Sequence, residues 1–121
     1  MRKVLIAEDD VVSRRILVSC VRKMGDFPIE ASNGKRAWGV LSDNQDIDLL
    51  ITDMMMPDMS GEELITIVRG TERLLSLPII LVSGVVGPKE IAHLLKLGAS
   101  RFIPKPIKVS DLEQAIEALF A

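Results

Sequence analysis

Tyrosine is absent from this chain, and cysteine, histidine and tryptophan each occur once. The lone Cys20 excludes an internal disulfide, and a single histidine leaves no Cys/His zinc arrangement to assemble. Basic charge is also in short supply. Fifteen Lys and Arg stand against 17 Asp and Glu, a formal charge of −2, so no broad positive field marks a nucleic-acid surface. No apolar run has the length of a membrane span, and Val4-Leu5-Ile6-Ala7 after Met1-Arg2-Lys3 is too short for a signal-peptide core and stops at three acids. Repeats, low-complexity tracts and a glycine-rich phosphate loop are missing too. A reducing, cytoplasmic setting is the expectation. What is present, in 121 residues, is 48% hydrophobic and 26% charged, enough apolar surface for one core and one domain, 1–121.

Four short apolar runs read as buried strands: Val4-Leu5-Ile6-Ala7, Leu49-Leu50-Ile51-Thr52, Ile79-Ile80-Leu81-Val82 and Arg101-Phe102-Ile103. They are continuous rather than alternating, which suits parallel strands covered on both faces. A weaker run, Phe27-Pro28-Ile29-Glu30-Ala31, carries a proline that removes a ladder donor and so belongs at a sheet edge. Helical patterns lie between. The first puts Val12, Ile16, Leu17, Cys20, Val21 and Met24 on one face, turns Arg14, Arg15, Arg22 and Lys23 outward, and stops at Gly25. A second, around Lys35 to Leu41, has Gly39 inside it. Ser60 with Glu63, and Ser110 with Glu113, have the capping-box spacing for the third and fifth helices. Pro88 suits the first turn of the fourth, and Gly98 its end. Strand and helix alternate five times, which predicts an α/β fold with a doubly wound parallel sheet. With the proline-bearing strand at the edge, the order is 2-1-3-4-5.

In such sheets ligands bind beyond the carboxyl ends of the strands, where the strand order reverses. The residues that follow the strands are polar: Glu8-Asp9-Asp10 after the first, Asp53 after the third, Ser83 after the fourth and Lys105-Pro106 after the fifth. Singly, each has an ordinary reading. Asp9 or Asp10 suits a helix N-cap, Ser83 a turn hydroxyl, and Lys105 a solvated lysine whose stem covers apolar surface. Together, the acids repel one another unless a hard cation lies between them. Mg²⁺ takes oxygen ligands, keeps several waters and uses one or two carboxylates with phosphate oxygens; Mn²⁺ is a second fit. Asp9, Asp53, Glu8 through water and one backbone carbonyl suffice as ligands. A carboxylate beside such an ion can attack phosphorus to give an aspartyl phosphate. That assigns Asp53 as nucleophile, Lys105 to a phosphoryl oxygen, and Ser83 as a hydroxyl donor to the bound phosphate.

From Lys3 to Phe120 the chain resembles the response-regulator receiver family of two-component signalling. The acidic pair is Glu8-Asp9, the phosphorylated aspartate lies in Thr52-Asp53-Met54-Met55-Met56-Pro57-Asp58-Met59-Ser60-Gly61, the switch hydroxyl falls at Ser83, and the Lys-Pro pair is Lys105-Pro106. The resemblance implies a flavodoxin-like (βα)5 three-layer sandwich and Mg²⁺ held by Glu8, Asp9, Asp53 and the Met55 carbonyl. It also implies a cis Lys105–Pro106 bond and no metal role for Asp10. The function implied is a phosphorylation-dependent switch that catalyses only its own phosphoryl transfer and dephosphorylation. Its partners are a histidine kinase or histidine phosphotransfer protein and a downstream effector protein or domain; a homodimer through the fourth helix, fifth strand and fifth helix also fits, and neither nucleic acid nor membrane is expected. Ile91, Leu95, Ile107, Val109 and Leu112 are the expected contacts on that face. On phosphorylation Ser83 moves toward the phosphate and Phe102 turns inward.

Two positions depart from the pattern: Phe102 lacks the hydroxyl of the frequent tyrosine, and Ser83 replaces a commoner threonine. Met55 and Val85 occupy positions that influence the hydrolytic water, implying a long-lived phosphoryl group. His93, without an expected carboxylate neighbour, reads as a bystander, Cys20 as core, and Met54, Met55, Met56 and Met59 as gap-filling. Trp38 has no assigned role. A phosphatase of the haloacid dehalogenase class would carry an Asp-x-Asp on its first strand, and Glu8-Asp9-Asp10 lacks that spacing. A receiver-like adaptor that only binds partners stays open, because an acidic site shows capacity and not use.

Overall fold

Runs that are apolar at every residue form strands with both faces covered. The computed structural model describes residues 1–84 and 87–121. In it β1 (Lys3–Ala7), β2 (Phe27–Ala31), β3 (Leu49–Asp53), β4 (Ile79–Ser83) and β5 (Arg101–Pro104) form one sheet in the order β2-β1-β3-β4-β5, with every pairing parallel. β3 and β4 are buried along their whole length, whereas β2 with Pro28 stands at the edge. This is the doubly wound, flavodoxin-like arrangement expected from the alternating pattern.

α1 (Val11–Lys23) and α5 (Val109–Leu119) cover one face of the sheet; α2 (Gly34–Asp43), α3 (Gly61–Arg69) and α4 (Pro88–Leu97) cover the other. Strand residues alternate between the two layers. Val4, Ile6, Leu49, Ile51, Ile80, Val82 and Ile103 pack toward α1 and α5, while Leu5, Ala7, Leu50, Ile79 and Leu81 pack toward the other three helices. Cys20 is buried on the α1 side, and Trp38 packs against the α2–α4 side. Among the described residues no helix is long and apolar enough to cross a membrane.

Local signals set most helix ends. Asp10 caps α1, its carboxylate accepting from the Ser13 amide at 2.8 Å, and Gly25 follows the helix at φ +82°. Ser60 and Glu63 form both arms of a capping box on α3, and Pro88 opens α4. The expected box of Ser110 and Glu113 does not form: α5 starts at Val109, Lys108 is its N-cap, and Ser110 already lies inside the first turn. Val12 is likewise 65% exposed rather than on the buried stripe of α1, which runs through Leu17, Val18, Cys20 and Val21. Of the four methionines expected to fill gaps, Met54, Met56 and Met59 pack against the core and Met55 does not.

Arg69 at the end of α3 ties the far corner together. Its guanidinium donates to the carbonyls of Leu74, Leu77 and Gly98 at 2.7–3.1 Å, joining the end of α3, the turn before β4 and the end of α4. Gly98 has φ +134°, and a Cβ there would lie 2.5 Å from Cγ of Arg69.

The unequal caps give an expectation. Ser60→Ala lowers stability by about 1 kcal/mol, whereas Ser110→Ala stays within about 0.5 kcal/mol of the parent, as read by urea denaturation. Equal losses at both positions would mean that the box on α3 contributes nothing special.

Candidate functional site

Alternation along the strands continues past their ends and sorts the polar groups by layer. Glu8 follows Val4 and Ile6, Asp53 follows Leu49 and Ile51, and Lys105 follows Ile103, so all three extend the α1/α5 face. Ser83 follows Ile79 and Leu81 on the opposite face, where Phe102, paired with Leu81, packs half-buried against the core. The site is therefore assembled where the two layers meet above the β1–β3 boundary.

The charged groups are in contact. Nζ of Lys105 lies 2.7 Å from Oε1 of Glu8 and 3.3 Å from Oδ2 of Asp53. The other Asp53 oxygen accepts from the Met54 amide at 2.8 Å, and the Thr52 hydroxyl donates to the Asp53 carbonyl at 2.9 Å. Glu8 is 0% exposed; its Oε2 accepts from the Asp10 amide at 3.2 Å. Oε1, despite its ion pair, receives no hydrogen bond of proper geometry and is a buried orphan. Carboxylate oxygens of Glu8, Asp9 and Asp53 lie within 4.8 Å of one another, with Asp9 exposed. Asp10 stays with its capping duty. Lys105 is positioned by its own amide, which donates to the Ser83 carbonyl at 2.9 Å, and the Lys105–Pro106 peptide bond is cis.

A cleft of about 420 Å³ opens over these groups, lined by Asp53, Met55, Ser83, Gly84 and Lys105. Met55 is 72% exposed at its mouth and Ser83 is buried at its wall. Val85, expected beside the hydrolytic water, lies outside the described residues. Gly61 keeps the loop tight: its amide donates to the Met54 carbonyl at 2.9 Å, and a Cβ there would sit 2.2 Å from the Asp53 carbonyl oxygen. Nothing but glycine fits at that spacing. The sequence signal for this close approach is Gly61, which ends the run from Thr52.

Electrostatics follow from burial. Loss of water raises the Glu8 carboxyl to about 7, with the Asp53 charge adding to the rise and Lys105 and the Asp10 amide opposing it. Burial would lower the Lys105 ammonium, but Glu8 and Asp53 outweigh it and hold the pKa above its ordinary value. Asp10 is held below the usual carboxylate range by its bonds to Ser13.

Three expectations about neighbouring residues need correction. Arg14 does not simply face out: Nη1 donates to the Glu8 carbonyl at 2.9 Å and Nε to Glu30 at 3.1 Å. His93 does have a carboxylate neighbour, Glu62 of α3 at 3.0 Å, because α3 and α4 pack side by side. Leu112 is fully buried against the sheet and is no surface contact, whereas Leu95 and Val109 are exposed.

A doubly wound domain with converging acids and one lysine at its switch point is the architecture of phosphoaspartate signalling receivers. The chain belongs to that family: residues 4–117 match the response regulator receiver domain. Among curated relatives, a chemotaxis protein CheY homolog of Campylobacter jejuni is 36% identical over 116 residues, covering 95% of this chain and 89% of the relative. A response regulator receiver protein from Pseudomonas putida superposes with a TM-score of 0.88 at 31% identity, covering 97% of this chain and 96% of its own. The receiver domain of a sensor histidine kinase from Pseudomonas aeruginosa, described with a magnesium ion coordinated in its active-site cleft, superposes at 0.89 over 99% of this chain and 98% of its own; at 19% identity it shows the fold alone.

Burial of Glu8 has a pH signature. The carboxyl titrates near 4.5 when unfolded and near 7 when folded, so the native state binds the extra proton between those values and stability falls as pH rises through that window. In metal-free buffer Glu8→Gln removes this fall, on the order of a few kcal/mol. Urea titrations at pH 5 and pH 7.5 read it, and a parent protein equally stable at both would contradict the burial argument.

Proposed function

We propose that this receiver domain, spanning 1–121, is a phosphoacceptor switch in which Asp53 takes a phosphoryl group from the phosphohistidine of a histidine kinase or histidine phosphotransfer protein. The observation that carries this reading is the contact of two buried carboxylates from adjacent strands with a single ammonium, at 2.7 Å and 3.3 Å, at the floor of an open cleft. An Asp53 oxygen forms the new bond to phosphorus as the bond from phosphorus to the imidazole nitrogen breaks, and the imidazole leaves. Lys105 then meets a phosphoryl oxygen and the Ser83 hydroxyl donates to another. Water later cleaves the acyl phosphate, so the domain catalyses only its own transfer and dephosphorylation.

The donor set fits a hard dication. Oxygens of Glu8, Asp9 and Asp53 are clustered, and Oε1 of the fully buried Glu8 has the Lys105 ammonium against it but no hydrogen bond of proper geometry. Mg²⁺, or Mn²⁺ in its place, would be held by Asp9, Asp53, the Met55 carbonyl and Glu8. When bound it supplies charge neutralisation for the transferring phosphoryl group. Ser83 and Phe102, on the α2–α4 side of the sheet, carry the signal by shifting toward the phosphate and inward respectively. The readout is the α4-β5-α5 face, where Leu95 and Val109 are exposed, meeting an effector protein or domain or a second copy of the chain. A cytoplasmic setting without nucleic acid or membrane as direct partner completes the reading.

Phosphotransfer tests it directly. Asp53→Asn keeps the fold and loses stable labelling by a phosphohistidine donor or acetyl phosphate, because the amide is a near-isostere without nucleophilic charge. Persistent labelling of that variant moves the site elsewhere. Lys105→Ala still binds Mg²⁺, since the ammonium competes with the dication for Glu8 and Asp53, but phosphorylation slows by about 100-fold or more. Parallel loss of both properties would deny the lysine a separate role.

A further inference from the structure

We infer that Arg14 is a positioning residue for the acidic site, acting through the Glu8–Asp9 peptide and oriented by Glu30. This inference rests on the reading of Glu8, Asp9 and Asp53 as a dication site. Three observations carry it. Arg14 sits on the first turn of α1 and donates from Nη1 to the Glu8 carbonyl at 2.9 Å, the one peptide unit that joins the two acids of the pair. Its Nε donates to Oε1 of Glu30 at 3.1 Å, so the planar fork is used by two acceptors at once. The amide of Glu8 donates to the Ala31 carbonyl at 3.0 Å, next to Glu30 on β2.

The end of β1 is thus tied twice to the edge strand, through Ala31 directly and through Glu30 by way of Arg14. The tie matters because Glu8 and Asp9 leave the strand in opposite directions, one buried and one exposed, yet must bring oxygens to the same point with Asp53. Rotation of the peptide between them would swing those oxygens apart without breaking any side-chain contact of Asp53. A solvated ion pair such as Arg14 with Glu30 contributes little to stability. Its use as a fixed bracket beside a ligand pair is where it gains effect, since groups that orient ligands change metal affinity 10- to 100-fold.

The test is Mg²⁺ titration of the parent, Arg14→Met, Arg14→Lys and Glu30→Gln domains, followed by amide chemical shifts of Asp9 and Asp53, with urea denaturation of each metal-free protein alongside. Arg14→Met, which keeps the apolar stem, weakens Mg²⁺ binding by about tenfold or more, while its metal-free stability changes little. Arg14→Lys recovers only part of the affinity, because one ammonium cannot copy the fork. Glu30→Gln weakens binding in the same direction by less, and combining it with Arg14→Met adds nothing further. A folded Arg14→Met domain with parental Mg²⁺ affinity overturns the inference, as does full recovery by lysine. If Arg14→Met fails to fold, Arg14→Lys and Glu30→Gln decide, and parental affinity in both overturns it. Absence of Mg²⁺ binding by the parent instead defeats the reading of the site itself.

Discussion

Two carboxylates that share a few ångströms of dry space are an electrostatic liability, and in this protein the sheet makes it unavoidable. Glu8 and Asp53 end strands that are hydrogen-bonded neighbours and point to the same layer, so the parallel register brings them together. Lys105 offsets their repulsion from a third strand end, and burial away from solvent raises the pKa of Glu8 well above the usual carboxylate range. The apolar strands beneath supply the burial that makes the charges strong, since a salt bridge of this kind in open solvent would count for little.

The same alternation explains why the reactive and the responsive groups are separate. Glu8, Asp53 and Lys105 continue the face that α1 and α5 cover, and Ser83 and Phe102 belong to the face that α2, α3 and α4 cover. The mouth of the cleft is the place where the two faces meet, with Asp53 and Lys105 on one wall and Ser83 on the other. An anion on Asp53 therefore stands at the junction of two hydrophobic layers that are otherwise divided by the sheet.

Much of this was legible in the residues. Continuous runs of Val, Ile and Leu announce strands buried on both faces, Pro28 marks the edge strand, and with that strand at the edge the doubly wound pattern gives the order 2-1-3-4-5. Strand ends locate the candidate groups because parallel strands all finish on one side. Side-chain reach was less legible. Arg14 has the periodicity of an outward residue, and only the path of β2 beside it makes it a bracket; His93 meets Glu62 for a similar reason, through packing of separate helices. Ser110 has the spacing of a cap but not the position, because α5 begins one residue before it. Spacing alone does not locate a helix start when Val109, next to it, can be helical too.

At the opposite end of the molecule, the guanidinium of Arg69 occupies the space that a side chain at position 98 would need. A side chain at position 98 would therefore meet two obstacles at once, the backbone at φ +134° and the stem of Arg69, and shortening Arg69 would remove only the second while taking the shared donor from the carbonyls of Leu74, Leu75, Leu77 and Gly98.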